Sequence, residues 1–314
     1  MSAVLITRRL PGASVARLAA HHDVDLHSGE LPLSIEELHE RLAGKTGVVV
    51  VLGGRMDRPA IDAAGPSLKI IANVAVGYDN LDVAYAASKS IICTNTPDVL
   101  TDATADLTWA LILGITRRLG EGERLLRAGA WKGFGFDFML GGSLAGKLLG
   151  IVGGGRIGRA VASRGAAFGM RVAVSSRRDP QWPGVEYMGF DRLISSADVI
   201  SLHVPLTPET RHLIDRKALT RMKRSAYFIN TTRGPVVDEA ALAWALGEHL
   251  IAGAALDVYE REPEVHPDLI GLENVLLSPH LGSATRETRK AMADLAIDNV
   301  LAVLSGEPAL TPIT

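Results

Sequence analysis

Short apolar runs alternate with segments of helical periodicity over the first hundred residues. The predicted strands are Val4–Thr7, Val24–His27, Gly47–Leu52, Leu68–Val74 and Ile91–Asn95. The predicted helices between them are Ala13–Ala20, Ser34–Leu42, Pro59–Ala64 and Val83–Lys89. Ser34 and Glu37 form a capping-box pattern at the start of one helix. Strands that alternate with helices indicate parallel βαβ units.

A second series of strands and helices follows an apolar helix that begins at Thr101 and a glycine- and aromatic-rich loop at 129–142. Its predicted strands are Leu148–Val152, Arg171–Ser175, Val199–Val204, Ala226–Asn230, Ala254–Val258 and Val275–Leu277, with a helix at Arg156–Phe168. A final helix at about Thr285–Leu304 has no following strand. We therefore expect it to pack back on the first block. The apolar helix from Thr101 is expected in a core or against a partner subunit.

Composition narrows the class of protein. The 314 residues are 47% hydrophobic and 22% charged, which suits two globular domains. With 33 Lys+Arg against 35 Asp+Glu, the net charge of −2 argues against a nucleic-acid or membrane partner. Arginines follow rather than precede the N-terminal apolar run, which is the wrong order for a secretory signal. The single cysteine, Cys93, is interpreted as a packing residue, and a cytoplasmic protein without a metal site is expected.

A glycine pattern lies between a predicted strand and a predicted helix. Gly153, Gly155 and Gly158 fit G-x-G-x-x-G, which permits a tight turn, close approach of a pyrophosphate and close helix packing. The amides at the helix start, Arg156 and Ile157 among them, are expected to bind phosphate. The alternative is a strand-to-helix turn without a ligand.

The end of the next predicted strand indicates which dinucleotide binds. Ser176 stands where an acid would hold a ribose 2′-hydroxyl, and Arg177 and Arg178 follow it. Without the carboxylate, and with two guanidinium groups, this turn favours the 2′-phosphate of NADP(H) over NAD(H). Two alternatives are a solvated basic turn and a displaced acid at Asp179.

Three polar residues follow late strands. Arg233, Glu262 and His280 each come after a predicted strand of the second block. Ligands of doubly wound sheets bind outside the carboxyl ends of the strands. Arginine can bind a carboxylate, histidine can donate a proton and a nearby glutamate can orient the histidine. This placement predicts a catalytic group.

Several segments together resemble one family over essentially the full chain. They are Asn73–Asn80, Thr94–Pro97, the glycine pattern, His203–Thr210, Asn230–Gly234, Gly253–Val258 and Pro279–His280. The chain is identified by them as a member of the D-isomer-specific 2-hydroxyacid dehydrogenases. Leu100–Leu107 and His280–Thr285 are most similar to the NADPH-dependent glyoxylate/hydroxypyruvate reductases within that family. Gly154, Thr232 and the segment Phe134–Phe138 depart from the pattern of those reductases.

The resemblance implies an α/β fold with two Rossmann-like or flavodoxin-like domains, each with a parallel sheet. Residues 1–98 with 286–314 would form the substrate-binding domain, and residues 99–285 the dinucleotide-binding domain, with the active site in the cleft. It also implies a homodimer joined through the dinucleotide-binding domains, with the 129–142 loop near the partner's active site.

The resemblance further implies residue roles. Arg233 would bind the substrate carboxylate and carbonyl, His280 would donate the proton, and Glu262 would pair with His280. Asp257 would hold the nicotinamide carboxamide, and the backbone at Val76 and Gly77 the substrate carboxylate. The remaining cofactor contacts implied are Thr101, Val204, Pro205, Thr210, Thr231, Thr232 and Gly282. The remaining substrate contacts implied are Leu52, Gly53 and Ser283.

The predicted activity is NADPH-dependent reduction of glyoxylate to glycolate and of hydroxypyruvate to D-glycerate. One alternative is a reductase of bulkier 2-oxo acids such as hydroxyphenylpyruvate, with Leu52, the flexible pair Gly53 and Gly54, and the 134–138 segment shaping the pocket. A non-enzymatic alternative is a dinucleotide-sensing corepressor, because that scaffold can retain the same Arg, Glu and His.

Overall fold

The computed structural model describes residues 2–29, 31–51 and 53–313. The chain divides into two compact units. Unit 1 comprises residues 1–100 with 284–314, and unit 2 comprises residues 101–283. The predicted division at 98–99 and 285–286 differs from these bounds by two residues at each end. The roles predicted for the two parts stay predictions.

The N-terminal part of unit 1 alternates strands and helices. Its elements are β1 (Ala3–Ile6), α1 (Gly12–Ala19), β2 (Asp23–Leu26), α2 (Ile35–Leu42), β3 (Gly47–Val50), α3 (Arg58–Ala64), β4 (Ile70–Asn73), α4 (Val83–Ser88) and β5 (Ile92–Thr94). The five strands pair in parallel in the order β2-β1-β3-β4-β5. This is a flavodoxin-like order. The capping box is confirmed, since Ser34 and Glu37 each accept the other's backbone N–H at 3.1 and 2.9 Å.

Unit 2 contains the larger sheet. Its elements are α5 (Thr101–Thr116), α6 (Leu119–Arg127), β6 (Leu148–Val152), α7 (Arg156–Ala167), β7 (Arg171–Ser175), β8 (Glu186–Tyr187), α8 (Phe190–Ser196), β9 (Val199–Leu202), α9 (Arg216–Arg221), β10 (Tyr227–Asn230), α10 (Glu239–Gly247), β11 (Gly253–Leu256), α11 (Pro267–Ile270) and β12 (Val275–Leu277). The strands are all parallel, in the order β12-β11-β10-β9-β6-β7-β8. This is a Rossmann order, with its switch point between β6 and β9.

Apolar residues cover both faces of the unit 2 sheet. In β10, Phe228 packs into one core with Leu242 and Leu256, while Ile229 packs into the other. Burial on both faces explains why these strands read as continuous apolar runs rather than as alternating patterns.

The last helix, α12 (Arg286–Leu304), returns to unit 1. It packs on α1, β3 and β4, and Ser14 of α1 donates a 2.7 Å hydrogen bond to Asp294. Thr285 accepts the N–H of Thr288 and caps the helix start. The expectation that this helix packs on the first block is confirmed.

The apolar helix α5 lies in the core of its own unit. It packs on α7, β10 and β11. Trp109 is buried, stacks on Phe168 at 4.5 Å and donates its indole N–H to the Val161 carbonyl. Of the core and the partner interface predicted for this helix, the structure supports the core.

Several predicted boundaries were one or two residues too wide. The strand predicted at Gly47–Leu52 ends at Val50, and the one predicted at Val199–Val204 ends at Leu202. Cys93 lies buried in β5, and burial raises the pKa of its thiol to about 11, as suits a packing residue. Among the described residues, no helix has the length and apolar character needed to cross a bilayer.

Candidate active site

The glycine turn connects β6 to α7. Gly153 has φ 119°, and a Cβ there would lie 2.1 Å from the His203 carbonyl oxygen. A Cβ at Gly158 would lie 2.4 Å from the Gly153 carbonyl oxygen. Larger residues are therefore excluded at both positions.

The same turn fits a dinucleotide phosphate. Gly155 is the N-cap of α7, makes no side-chain cap, and has nothing within 4 Å of where a Cβ would be. The first amides of the helix, those of Arg156 and Ile157, therefore lie beside open space at the positive end of the helix dipole. Gly154 packs against Ser176, where a Cβ would lie 2.9 Å from the Ser176 hydroxyl oxygen.

The turn after β7 carries the predicted specificity residues. The Ser176 hydroxyl donates to the Arg178 carbonyl at 2.5 Å, and the Tyr187 hydroxyl donates to the Ser176 carbonyl at 2.9 Å. Arg177 and Arg178 are exposed. The Asp179 carboxylate accepts the Gln181 N–H at 2.8 Å, so it closes a local turn.

Polar residues after β9 and β10 shape the neighbouring turns. Thr210 donates to the Pro205 carbonyl at 2.7 Å, which closes the turn that follows Val204. Thr231 is buried against Thr108, with 3.0 Å between the hydroxyl oxygens. Thr232 donates both its N–H and its hydroxyl to the Asn230 side chain.

Arg233 leaves β10 in an extended conformation and is half-buried. The Asn230 amide donates to its carbonyl at 3.0 Å, which fixes the backbone there. The following Gly234 packs on the loop after β11, where a Cβ would lie 1.8 Å from the carbonyl carbon of Tyr259. This contact joins the arginine loop to the loop that carries Glu262.

Glu262 and His280 form a hydrogen-bonded pair. His280 Nδ1 lies 2.8 Å from Glu262 Oε2, and the Tyr259 N–H donates to Glu262 Oε1 at 3.1 Å. Burial raises the pKa of Glu262, but the hydrogen bonds and the charges of His280 and Arg233 outweigh it and lower the pKa below its usual range. The ionised carboxylate accepts the Nδ1 proton, so Nε2 is the ring nitrogen available to a substrate.

Asp257 organises the loop that holds His280. It is 1% exposed; Oδ1 accepts from the Ser278 hydroxyl at 2.6 Å and the Leu281 N–H at 2.7 Å, and Oδ2 from the Gly282 N–H at 2.8 Å. The His280 N–H also donates to the Asp257 carbonyl at 2.9 Å, and His280 adopts φ 54°. Burial raises the pKa of Asp257, against the effect of these donors. Sequence reasoning missed this positioning contact, because Asp257 and Gly282 are 25 residues apart and follow different strands.

The predicted substrate contacts are distributed over both units. Val76 and Gly77 lie in the loop after β4, and Gly53, with φ 91°, lies in the loop after β3. Ser283 is buried at the end of unit 2, whereas Leu52 lies outside the described residues. Sequence reasoning also missed Asn73 and Asn95, whose side chains donate to the Gly77 and Val76 carbonyls.

A Rossmann sheet with this glycine turn, and a histidine–glutamate pair beside an arginine at its strand ends, define a nicotinamide-dinucleotide-dependent oxidoreductase. The chain belongs to the D-isomer specific 2-hydroxyacid dehydrogenase family, since residues 109–282 match the model of its NAD binding domain. Both the predicted fold class and the predicted family are confirmed.

Known relatives extend over the whole chain. Glyoxylate reductases from Thermococcus onnurineus and Korarchaeum cryptofilum are both 45% identical, over 97% of this chain and 93% of theirs. A crystal structure of a Thermus thermophilus protein has a TM-score of 0.95 at 44% identity, covering 99% of this chain and 100% of that one. An NADPH-dependent glyoxylate/hydroxypyruvate reductase from Sinorhizobium meliloti, in complex with NADP and malonate, has a TM-score of 0.89 at 36% identity and covers 100% and 97%.

Proposed function

We propose that this protein reduces small 2-oxo acids, such as glyoxylate and hydroxypyruvate, to 2-hydroxy acids with NADPH. The observation that carries the proposal is the 2.8 Å hydrogen bond between His280 and Glu262, beside the charge of Arg233. The names of the relatives, glyoxylate reductases among them, support the choice of substrate.

Each polar residue has a proposed part in the reaction. Arg233 binds the substrate carboxylate, together with the amides of Val76 and Gly77, and stabilises charge on the carbonyl oxygen. When bound, the reduced nicotinamide supplies the hydride. His280 donates a proton from Nε2 to the carbonyl oxygen, and Glu262 stabilises the imidazolium that gives it up.

The proposed cofactor site begins at the glycine turn. The amides of α7 bind the pyrophosphate, and Ser176, Arg177 and Arg178 bind the ribose 2′-phosphate. The NADP bound to the Sinorhizobium meliloti reductase supports this preference. The remaining proposed cofactor contacts are Thr101, Val204, Pro205, Thr210, Thr231, Thr232, Asp257 and Gly282. The remaining proposed substrate contacts within the described residues are Gly53 and Ser283.

A homodimer is proposed through unit 2. α6 buries none of its residues, and it exposes Leu119 and Leu126. In the adjoining 129–142 loop, Phe134 and Phe136 are 91% and 94% exposed. An apolar surface of this kind is typical of a protein interface.

The test is an absorbance assay that follows oxidation of NADPH and of NADH with glyoxylate, hydroxypyruvate, pyruvate and hydroxyphenylpyruvate. We expect the highest kcat/KM with NADPH and either glyoxylate or hydroxypyruvate. Replacing both Arg177 and Arg178 by serine is expected to raise the KM for NADPH about tenfold or more, with little change for NADH. The matched control is the exposed Arg224→Ser. Equal use of both cofactors by the wild type would contradict the NADPH preference, and activity confined to hydroxyphenylpyruvate would contradict the small substrate.

A further inference from the structure

Three successive carbonyl groups in the loop after β4 are each held by a hydrogen bond. The Ala75 carbonyl accepts the Thr96 N–H at 2.9 Å. The Val76 carbonyl accepts from Asn95 Nδ2 and the Gly77 carbonyl from Asn73 Nδ2, both at 2.8 Å. Each peptide plane in this stretch therefore has a fixed orientation.

A fixed carbonyl also fixes the N–H of the next residue, because the two groups of a trans peptide point in opposite directions. The three hydrogen bonds thus set the N–H groups of Val76, Gly77 and Tyr78. Within the described residues, none of these three amides donates a hydrogen bond. Backbone amides that are preset in this way are suited to bind an anion.

The Asn73 side chain is itself fixed. Asn73 is 1% exposed, and its Oδ1 accepts from Asn80 Nδ2 at 3.1 Å. Asn80 also donates to the Gly54 carbonyl at 2.9 Å, which ties the loop after β3 to the same network.

Asn95 is held by the C-terminal segment. Its carbonyl accepts the Thr311 hydroxyl at 2.6 Å, and its N–H donates to the Thr311 carbonyl at 3.3 Å. Thr311 in turn donates its N–H to Asn299 Oδ1 at 3.0 Å and accepts from Asn299 Nδ2 at 2.9 Å. Asn299 is fully buried in α12. A continuous series of hydrogen bonds therefore runs from α12 to the Val76 carbonyl.

We propose that Asn73 and Asn95 are positioning residues that preset the amides of Val76, Gly77 and Tyr78 for a substrate carboxylate, and that Thr311 supports Asn95 in this role. The inference rests on the proposed function and adds to it the residues that keep the carboxylate donors in place. Presetting the donors removes the ordering cost that a mobile loop would incur on binding.

The test compares Asn95→Ala and Asn73→Ala with wild type in two measurements. The first is the KM for glyoxylate, kcat and the KM for NADPH. The second is calorimetric binding of oxamate, a non-reducible carboxylate, to the NADPH-loaded enzyme. We expect the KM for glyoxylate and the Kd for oxamate to rise about tenfold, with kcat and the KM for NADPH changed less than about threefold. Thr311→Val, which keeps the side-chain shape, is expected to give a smaller rise of about threefold. Thr311→Val also tests the proposal if an asparagine variant fails to fold, because it leaves both asparagines in place.

The matched control is Asn274→Ala in unit 2, which removes an asparagine amide that likewise donates to a backbone carbonyl, that of Leu246 at 3.2 Å. It should leave oxamate binding unchanged. An active wild type whose three unit 1 variants all bind oxamate normally would overturn this inference alone. Equal losses of oxamate and NADPH affinity would also overturn it, because they indicate general disruption. A wild type that reduces no 2-oxo acid would overturn the proposed function and this inference with it.

Discussion

The side chain of His280, the proposed proton donor, is positioned largely by its backbone. Its φ of 54° lies in the left-handed region. The Asp257 carbonyl accepts the His280 N–H, and the Asp257 carboxylate accepts from the Ser278 hydroxyl and the Leu281 N–H. In this conformation Nδ1 reaches Glu262 at 2.8 Å. The sequence predicted the pairing of Glu262 and His280 through a family resemblance, but it did not predict that Asp257 holds the loop.

We expect His280→Ala to lower kcat by about 10²- to 10⁴-fold, because it removes the proposed general acid. Steady-state assay with glyoxylate and NADPH measures this. His249→Ala is the matched control, because His249 is exposed and has a similar φ of 51°. A His280→Ala enzyme with wild-type kcat would rule out His280 as the proton donor.

Among the structural elements, the loop after β10 and the loop after β11 are packed backbone to backbone. Gly234 is the contact point, since a Cβ would meet Tyr259 at 1.8 Å. The two loops carry Arg233 and Glu262, so the spacing of the loops determines the distance between these two proposed catalytic residues.

Gly234→Ala is therefore expected to push the two loops apart and to lower both the thermal stability and kcat. Overpacking of this kind usually costs about 1–3 kcal/mol in unfolding free energy. Gly247→Ala is the control, because Gly247 lies in α10 with nothing within 4 Å of its Cβ position. Calorimetric unfolding and a kcat measurement on both variants check this. A Gly234→Ala protein with the same Tm as the wild type would contradict the prediction.

Asp198 ties two strands of the unit 2 sheet together. Its carboxylate accepts the Leu148 N–H at 2.8 Å and the Lys223 ammonium at 2.9 Å. Burial raises the pKa of Asp198, but these two donors outweigh it and lower the pKa below its usual range. The stabilisation is therefore fully present above the unfolded-state pKa of about 4 and is lost as pH falls through the lower folded-state pKa.

Asp198→Asn should lower the unfolding free energy by about 1–3 kcal/mol at neutral pH. The difference in unfolding free energy between variant and wild type should become smaller as the pH falls below about 4. Urea unfolding at neutral and acidic pH measures this difference in unfolding free energy. The control is Asp268→Asn, because the Asp268 side chain is 79% exposed. A difference in unfolding free energy that stays constant with pH would show that the charge of Asp198 does not cause the stabilisation.

For the molecule as a whole, the exposed apolar surface of α6 and the 129–142 loop is the basis for the proposed homodimer. Light scattering should give about twice the chain mass of 33.4 kDa. Leu126→Glu should shift the protein to the monomer, because it places a charge in the apolar surface. The control is Ile35→Glu, at a 69%-exposed position in unit 1, which should leave the dimer intact. A monomeric wild type would contradict the homodimer.

Much of the fold could be predicted because local signals agree with the tertiary structure. The apolar runs, the capping box at Ser34 and the glycine turn at 153–158 each report on a few neighbouring residues. Strand ends were less accurate, since the apolar pattern continues to Val204 although β9 ends at Leu202. The apolar composition of α5 could not distinguish a core from an interface, because both bury the same surface.

Periodicity and residue type were enough to specify the two parallel α/β sheets and the glycine turn, and to place Arg233, Glu262 and His280 after late strands. They did not specify that Asp257 holds the His280 loop, or that Asn73 and Asn95 hold the loop at 75–77; the folded chain reveals both. The groups in those hydrogen bonds are far apart in the chain, with Asn299 linked to Asn95 through Thr311. Which distant polar groups meet depends on how strands are ordered and where a helix returns, and no local pattern contains that information.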